Sequence, residues 1–278
     1  MGNAVNILSA IKLDGLNAIV TGAAQGLGLG IAEELAQCGA FVYMADIQTD
    51  KVTAAAETLR GKDLSVEPVH LDVTNSEASN SLLEGIATDR GHLDILVNNA
   101  GLGQSVTPVS ELSDEEWDRV LRVTLTGTFY CARAAARIME RQESGSIVNL
   151  SSVNGHNPAA LVAAYNVAKA GVISFTKTLA VELAAYGVRV NAISPGPVYT
   201  DFNRRVMAER CESLNITESE MIDRIQKAVP LGRWGKPNDI ARAVVFLASP
   251  AAEWITGEVL RVSGGLEGVS AAPPKRTK

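Results

Sequence analysis

The sequence predicts an α/β protein built on a doubly wound parallel sheet, with helices on both faces in a three-layer α/β/α arrangement and a single domain. Short apolar runs alternate with helical patterns along all 278 residues, which is typical of right-handed βαβ units. The segment 94–101 begins with a continuous apolar run, as expected for a parallel strand buried on both faces. Hydrophobic residues make up 46% of the chain and charged residues 20%, so a large core can form.

The predicted strands and helices follow one another from one end of the chain to the other. Strands are predicted at 17–20, 40–46, 65–73, 94–101, 145–152, 188–196 and 257–265. Helices are predicted at 27–39, about 50–60, 76–89, 114–140, 163–185 and 238–249. Ser113, with Glu116 three residues later, predicts a capping box at the start of the long helix.

No composition shift or internal repeat divides the chain. We therefore expect one dinucleotide-binding catalytic domain over 1–278. Within it we expect an N-terminal extension at about 1–12, a polar and irregularly helical substrate-loop region at 200–229, and a flexible tail at 268–278.

Composition and charge exclude several classes of function. The formal net charge of -6 provides no basic field for nucleic acid or for an anionic membrane, and no run of about 18 apolar residues exists to span a bilayer. The first residues lack the basic start and long apolar core of a signal peptide. The three cysteines and three histidines are scattered, which predicts neither a disulfide framework nor a metal site. We therefore expect a cytoplasmic protein that acts on a small molecule.

A glycine-rich turn follows the first predicted strand. Thr21 leads into Gly22-Ala23-Ala24-Gln25-Gly26-Leu27-Gly28, where a helix is predicted to begin. Glycines at such a turn let the backbone approach a pyrophosphate, whose charge is stabilised by the amides and dipole of the helix N-terminus. The spacing differs from the more common G-x-G-x-x-G, and a purely structural turn is the alternative. The position after the first strand favours a dinucleotide site in a Rossmann-like fold.

An acidic residue ends the second predicted strand. Asp46 lies 18 residues after Gly28, where a carboxylate can accept hydrogen bonds from adenosine ribose hydroxyls and would repel a 2′-phosphate. Gln25 and Ile47 offer no positive charge to that phosphate. These residues predict NAD in preference to NADP, and a plain turn residue is the alternative interpretation of Asp46.

Six motifs together resemble those of the short-chain dehydrogenase/reductase family in order and spacing. They are the TGxxxGxG turn, Asp72 in LDV, Asn98-Asn99-Ala100-Gly101, Ser152, Tyr165-x-x-x-Lys169 and Pro195-Gly196. Each motif alone is a weak signal, but six in register are specific, and they extend from about Leu13 to Gly265. The resemblance implies an NAD-dependent oxidoreductase that acts on CH-OH donors and assembles as a homotetramer.

The resemblance assigns a role to individual positions. Ser152, Tyr165 and Lys169 would be catalytic, with Ser152 also contacting the substrate. Asp72 and Val73 would lie at the adenine. The implied cofactor contacts are Gly22, Gln25, Gly26, Leu27, Gly28, Asp46, Ile47, Asp72, Val73, Asn99, Ala100, Gly101, Tyr165, Lys169, Pro195, Gly196, Val198 and Thr200, the last two at the nicotinamide carboxamide.

Hydride transfer from an alcohol requires a base at the substrate oxygen. Free tyrosine has a pKa of about 10, so only about one molecule in a thousand is ionised at neutral pH. A pKa near 7 requires roughly 4 kcal/mol of preferential phenolate stabilisation. Lys169 lies one helical turn after Tyr165 and supplies a positive charge, and Ser152 would hydrogen-bond the substrate oxygen. An amphipathic pair on a helix face is the structural alternative.

Two positions depart from the family's pattern. Thr124, within VTLTG at 123–127, replaces the asparagine that in the family supports a water chain from the lysine to solvent. Thr124 would still be a catalytic position, but we expect the route of the proton from Lys169 to solvent to be altered. We expect the threonine hydroxyl to bond back to the preceding helical turn. Ser263 stands where the family often has aspartate. This departure affects either the local packing or a subunit contact at that position.

Substrate specificity is expected to arise from residues 153–163 and 200–229. Asn154 and His156 follow Ser152 closely, and Arg204 would suit an anionic group; solvent-facing positions are the alternative for all three. Only five phenylalanines and five tyrosines occur, so we expect a sugar, polyol or similar small hydroxy compound rather than a steroid-sized substrate, converted to its ketone or lactone. The rival functions are a 3-oxoacyl-thioester reductase of the same family and, in another class, a non-catalytic NAD-binding scaffold or sensor.

Overall fold

A computed structural model of the chain describes residues 7–200, 207–209, 211–212 and 214–268. The strands are β1 (Asn17–Thr21), β2 (Phe41–Asp46), β3 (Val66–His70), β4 (Ile95–Asn98), β5 (Gly145–Leu150), β6 (Val188–Pro195) and β7 (Val259–Val262). The helices are α1 (Ile7–Ala10), α2 (Gly26–Gln37), α3 (Thr49–Arg60), α4 (Ser76–Arg90), α5 (Asp114–Leu121), α6 (Gly127–Gln142), α7 (Ala163–Leu183), α8 (Glu218–Ala228) and α9 (Pro237–Ala248).

The strands of the described residues form one seven-stranded parallel sheet in the order β3-β2-β1-β4-β5-β6-β7. From β1 the chain builds outwards to β3 and then returns to β4 on the other side of β1. The order therefore reverses between β1 and β4, and the carboxyl ends of these two strands border a crevice of the kind that binds ligands in open α/β sheets. The doubly wound parallel sheet predicted from the sequence is confirmed.

Two apolar clusters cover the opposite faces of this sheet. Ala18 and Val20 of β1 belong to the cluster that α2, α3 and α9 complete, whereas Ile19 belongs to the cluster that α4, α6 and α7 complete. Successive side chains of a strand point to opposite faces, so β1 is buried on both. This double burial is the reason why the inner strands are continuous apolar runs in the sequence, and it establishes the predicted three-layer arrangement.

The long helix predicted at 114–140 is not continuous. The backbone leaves the α-helical pattern at Arg122–Thr126, a π-helical turn between α5 and α6. The start of α5 has half of the predicted capping box, since the Ser113 side chain accepts the amide of Glu116. The Glu116 carboxylate instead accepts the amide of Ser105 at 3.2 Å and pairs with Arg119 at 2.7 Å.

Parts of the predicted terminal and loop segments lie outside the described residues. Residues 1–6 and 269–278 are not described, so the N-terminal extension and the tail stay predictions. In the substrate-loop region, α8 begins with a complete capping box formed by Thr217 and Glu220. In the ranges that are described, no helix combines the length and apolarity needed to cross a membrane, and no cluster of three His, Cys, Asp or Glu side chains is positioned to hold a metal ion.

Candidate active site

The glycine turn lies at the carboxyl end of β1 and borders the crevice. Gly22 and Gly26 adopt φ values of 66° and 61°, a region that favours glycine. A side chain at Gly28 would collide with the carbonyl oxygen of Gly22, so this glycine permits the close approach of turn and helix. No side chain caps the N-terminus of α2. Its amides and its positive dipole end can therefore stabilise an anionic group that enters the crevice.

Asp46 is fixed at the carboxyl end of β2 by two backbone amides. One carboxylate oxygen accepts the amide of Ala24 in the glycine turn at 3.0 Å, and the other accepts the amide of Gln48 at 2.9 Å. Each oxygen keeps acceptor capacity for a ribose hydroxyl. Ile47, the next residue, is exposed and uncharged.

The crevice has two parts that are continuous with each other. The part predicted to hold the adenine is lined by Asp46, Ile47, Asp72 and Val73, among others. The other part contains the residues that the sequence predicts to be catalytic, and both parts share lining residues. The shared residues are Gly22, Gln25, Ala100, Gly101, Gly103 and Gln104.

Residues 98–101 connect the sheet to the glycine turn. The side-chain amide of Asn99 donates to the carbonyls of Thr21 and Gly22 at 2.9 and 3.0 Å. The Thr21 hydroxyl in turn accepts the amides of Asn99 and Ala100, each at 3.1 Å. Asn98 donates to the Asn149 side chain of β5 at 2.9 Å. The side-chain amide nitrogen of Asn99 is therefore fully used within the protein, where it fixes the conformation of the glycine turn.

Ser152, Tyr165 and Lys169 come together where β5 ends and α7 begins. The Ser152 and Tyr165 side chains are hydrogen-bonded, and the Lys169 ammonium lies 5.8 Å from the centroid of the Tyr165 ring. The ammonium donates to the carbonyl of Leu150 at 2.6 Å. The sequence motif therefore corresponds to one compact group of side chains that line the crevice.

Burial opposes the charged form of both Tyr165 and Lys169. Desolvation raises the pKa of Tyr165, against the opposing effect of its bond to Ser152. Desolvation also lowers the pKa of Lys169 to about 8. A phenolate beside an ammonium would compensate both costs, because each charge then has an opposite partner. We therefore treat the two groups as a coupled pair.

Gln104 is a site residue that the sequence reasoning missed. It is 2% exposed, and its side-chain oxygen accepts the amide of Ala164 at 2.7 Å and that of Tyr165 at 3.4 Å. The amide nitrogen donates to the carbonyl of Leu161 at 3.4 Å. Because Val162, the N-cap residue of α7, gives no side-chain cap, Gln104 supplies the cap from a distant loop. No short sequence pattern could have predicted a cap that comes from 60 residues away.

Thr124 occupies the π-helical turn and is fully buried. Its hydroxyl accepts the amide of Leu102 at 3.0 Å. The bond to the preceding helical turn that we expected from the sequence is replaced by this contact with the loop after β4. A side chain at Gly101 would lie 3.5 Å from the Thr124 hydroxyl and 3.6 Å from the Lys169 ammonium, so Thr124 and Lys169 flank the same backbone position.

The predicted nicotinamide end is formed by the segment after β6. Pro195, Gly196, Val198 and Thr200 line the same part of the crevice as Ser152. Gly196 is packed against Ser263, where an added side chain would be 2.7 Å from the Ser263 Cα. Ser263 therefore packs against the Pro195-Gly196 turn. Of the two roles that the sequence left open for this serine, local packing or a subunit contact, the structure shows the local packing.

The predicted substrate residues separate into three cases. Asn154 lines the crevice near Ser152. The His156 ring instead bonds the buried Ser194 hydroxyl at 3.0 Å and is not among the residues that line the crevice. Arg204 lies outside the described residues. The apolar residues of this end were not singled out from the sequence, although all but Trp234 lie in the ranges 153–163 and 200–229 that were expected to determine specificity. They are Val153, Val162, Met207, Met221, Ile225 and Trp234.

Comparisons with known proteins place this geometry in context. A family profile described as enoyl-(acyl carrier protein) reductase matches residues 22–267. A 3-oxoacyl-(acyl-carrier-protein) reductase of Aquifex aeolicus is 37% identical over 257 residues, which are 92% of this chain and 99% of the relative. Galactitol 2-dehydrogenase of Rhizobium johnstonii is 38% identical over 256 residues, 91% of this chain and 96% of the relative. The crystal structure of a gluconate 5-dehydrogenase from Burkholderia cenocepacia, in complex with NADP and tartrate, has a TM-score of 0.86 at 31% identity and covers 94% of this chain and 98% of its own.

Proposed function

The chain belongs to the short-chain dehydrogenase/reductase family, and on this premise we propose that it interconverts a secondary alcohol and its ketone with NAD(H), using Tyr165 as acid/base. The observation that carries the proposal is the grouping of Ser152, Tyr165 and Lys169 in the crevice between the glycine turn and the segment after β6. When bound, the nicotinamide supplies the acceptor or donor of the hydride.

The side chains of this chain perform the proton chemistry. In alcohol oxidation the Tyr165 oxygen takes the hydroxyl proton, and in ketone reduction it returns one. The Ser152 hydroxyl, already bonded to Tyr165, donates to the substrate oxygen as negative charge develops there. Lys169 stabilises the phenolate as an adjacent cation and would also hold the nicotinamide ribose. Leu150 fixes the direction of the Lys169 ammonium through its carbonyl.

Asp46 supports NAD as the cofactor. Its carboxylate is held towards the adenine end of the crevice, where it suits two ribose hydroxyls and repels a phosphate. The related gluconate 5-dehydrogenase was crystallised with NADP, so a preference for NAD over NADP is not common to all relatives. The proposal expects kcat/KM for NAD to exceed that for NADP in the wild-type protein.

Substitution of the acid/base tests the proposal directly. Tyr165→Phe removes the proton carrier and keeps the ring, so we expect turnover of secondary alcohols to fall by at least a thousandfold while the Kd for NADH changes less than threefold. Tyr186→Phe, in an exposed turn after α7, is the matched control and should leave both quantities unchanged. Equal turnover in Tyr165→Phe and wild type would exclude Tyr165 as the acid/base.

A 3-oxoacyl-thioester reductase is the second candidate, because several relatives, including that of Aquifex aeolicus, carry this name. The experiment is reduction of acetoacetyl-coenzyme A, followed with NADH and with NADPH. A kcat/KM that exceeds the value for simple ketones by a hundredfold or more, with NADPH preferred, would favour the second candidate.

A non-catalytic NAD-binding scaffold or sensor predicts another result. Such a protein would retain its biological activity in Tyr165→Phe, and purified wild-type protein would bind dinucleotide without turnover of any alcohol or ketone. The complete group of Ser152, Tyr165 and Lys169 weighs against this function.

We also propose a homotetramer and a cytoplasmic location. Apolar side chains are exposed on the edge strand β7, on the outer helices and in the turn before β7: Leu260, Phe129, Val167, Val181 and Trp254, which is 97% exposed. Exposed apolar surface of this kind favours contact with further copies of the chain. The free cysteines at 38, 131 and 211 are consistent with a reducing compartment.

A further inference from the structure

One side of the crevice beside Ser152 and Tyr165 is apolar. Three separate segments contribute to this surface, which we call the apolar wall: the turn after β5, the start of α7, and the region from 207 to 234. Its residues are Val153, Val162, Met207, Met221, Ile225 and Trp234.

The apolar wall is supported by a hydrophobic cluster of its own. Met207, Cys211 and Met221 are buried there, and Ile222 and Trp234 pack against them. This cluster is separate from the two that cover the sheet. A wall that already packs against its own small core is a preformed surface, and its methionines can adapt to the shape of an apolar group.

The polar groups within and beside the apolar wall are already engaged. The Trp234 indole nitrogen donates to the carbonyl of Ile222 at 3.3 Å. The Gln104 side chain uses its oxygen on the amides of α7 and its nitrogen on Leu161. Ser152 and Tyr165 are directed to the reacting oxygen. Among the described residues at this end of the crevice, Asn154 and Thr200 are further side chains with an amide or hydroxyl group.

This distribution disfavours a polyol substrate. Each hydroxyl group that leaves water without a partner costs about tenfold or more in binding, and a polyol carries several. An apolar substituent gains about fourfold for each methylene that it buries. The sugar or polyol expected from the composition of the sequence is thus not the substrate class that the apolar wall favours.

We propose that the substrate is a secondary alcohol or ketone with a hydrocarbon substituent, alicyclic or an alkyl chain, that packs on the apolar wall. The inference rests on the proposed oxidoreductase function and narrows it. The carbinol carbon lies at Ser152 and Tyr165, and the substituent contacts Met221, Ile225 and Trp234.

A homologous series of alcohols tests this inference. We would measure kcat/KM with NAD for 2-butanol, 2-pentanol, 2-hexanol and 2-heptanol, and for xylitol and sorbitol. The expected result is a rise of about fourfold per methylene, with both polyols at least a hundredfold below 2-heptanol. A flat series, or a polyol that surpasses 2-heptanol, overturns the inference and leaves the oxidoreductase function intact.

A variant of the apolar wall locates the effect. Met221→Gln keeps the length of the side chain but makes it polar, so the gain per methylene should fall below twofold. Lys227→Gln, at an exposed position of the same helix, is the control and should keep the fourfold gain. An unchanged gain in a folded Met221→Gln protein would overturn the placement of the substituent on this wall.

Failure of the proposed function is distinguishable from failure of the inference. If no alcohol of either class is oxidised, the oxidoreductase proposal fails. Titration calorimetry of 2-butanone and 2-heptanone against Tyr165→Phe with NADH present then decides the inference alone. Binding of 2-heptanone at least tenfold tighter supports it, and equal binding of the two ketones overturns it.

Discussion

Replacement of Lys169 by methionine should change how the stability of the protein depends on pH. The side chain of Lys169 is buried, with 6% of the residue exposed, and its ammonium has the Leu150 carbonyl as hydrogen-bond acceptor at 2.6 Å. Burial lowers its pKa from the ordinary 10.5 to about 8. Methionine has a similar length but cannot titrate, so the comparison isolates the effect of this one proton.

The direction and the size of the effect follow from the two pKa values. Below pH 8 both the folded and the unfolded chain hold the proton, and the cost of burying the ammonium is fully present. Between pH 8 and 10.5 the unfolded chain binds more protons than the folded chain, so the free energy of unfolding rises with pH. At about 1.4 kcal/mol for each tenfold change in proton affinity, the rise amounts to about 3 kcal/mol.

The assay is urea unfolding of the free proteins at pH 7, 8, 9, 10 and 10.5, at one protein concentration. The wild-type protein should gain about 3 kcal/mol relative to Lys169→Met across this range. Lys177→Met, at an exposed position of the same helix, is the control, and its difference from wild type should stay constant. If the difference between wild type and Lys169→Met also stays within about 0.5 kcal/mol, burial does not depress the proton affinity of this lysine in the free protein, and the reasoning from burial is refuted.

Four further substitutions test the cofactor site, the distant cap and the assembly. Asp46→Ala should lower the NAD/NADP ratio of kcat/KM by at least tenfold, whereas an unchanged ratio would mean that Asp46 does not contact the ribose. Gln104→Leu leaves the amide of Ala164 without its acceptor, so the free energy of unfolding should fall by about 1–3 kcal/mol and kcat should fall with it. Gln104→Glu keeps an acceptor for the amide of Ala164 but loses the donor to the carbonyl of Leu161, so it too should lower the free energy of unfolding. Its negative charge disfavours the phenolate and should raise the pKa of the acidic limb of alcohol oxidation, where Tyr165 must be deprotonated; identical pH profiles would contradict this. Light scattering should give four copies for the wild type and fewer for Trp254→Asp, and a monomeric wild type would refute the assembly.

The fold was predictable because its determinants are local and repeated. The run at 95–97 is apolar throughout since β4 is buried on both faces, and such runs reveal parallel strands without knowledge of their neighbours. The π-helical turn at 122–126 was not predictable from the same patterns, because the apolar periodicity of α5 and α6 continues through it. The turn is visible only once the Thr124 hydroxyl is seen to bond the amide of Leu102.

The candidate site was predictable in so far as its residues belong to short motifs. The glycine turn, Ser152 and the pair at 165 and 169 are such residues, and the structure brings the last three together. His156 was misjudged because nearness to Ser152 in sequence does not fix the direction of a side chain, and the ring turns to Ser194. The residues of the apolar wall were not singled out, although all but Trp234 lie in the ranges expected to determine specificity, because they form one surface only when the fold brings their segments together.

The loop after β4 shows why the motif residues are not independent of the rest. Its Leu102 amide is held by Thr124 in the π-helical turn, and its Gln104 side chain caps the helix that carries Tyr165. The loop thereby joins α5 and α6 to α7 next to the reacting groups. Threonine at 124 can satisfy this arrangement because the loop requires an acceptor at that point, and a hydroxyl oxygen is an acceptor as an amide oxygen is. Thr124 therefore provides the link between loop and helix in this chain, and we expect a change caused by its departure from the family's asparagine in the exit of the proton from Lys169.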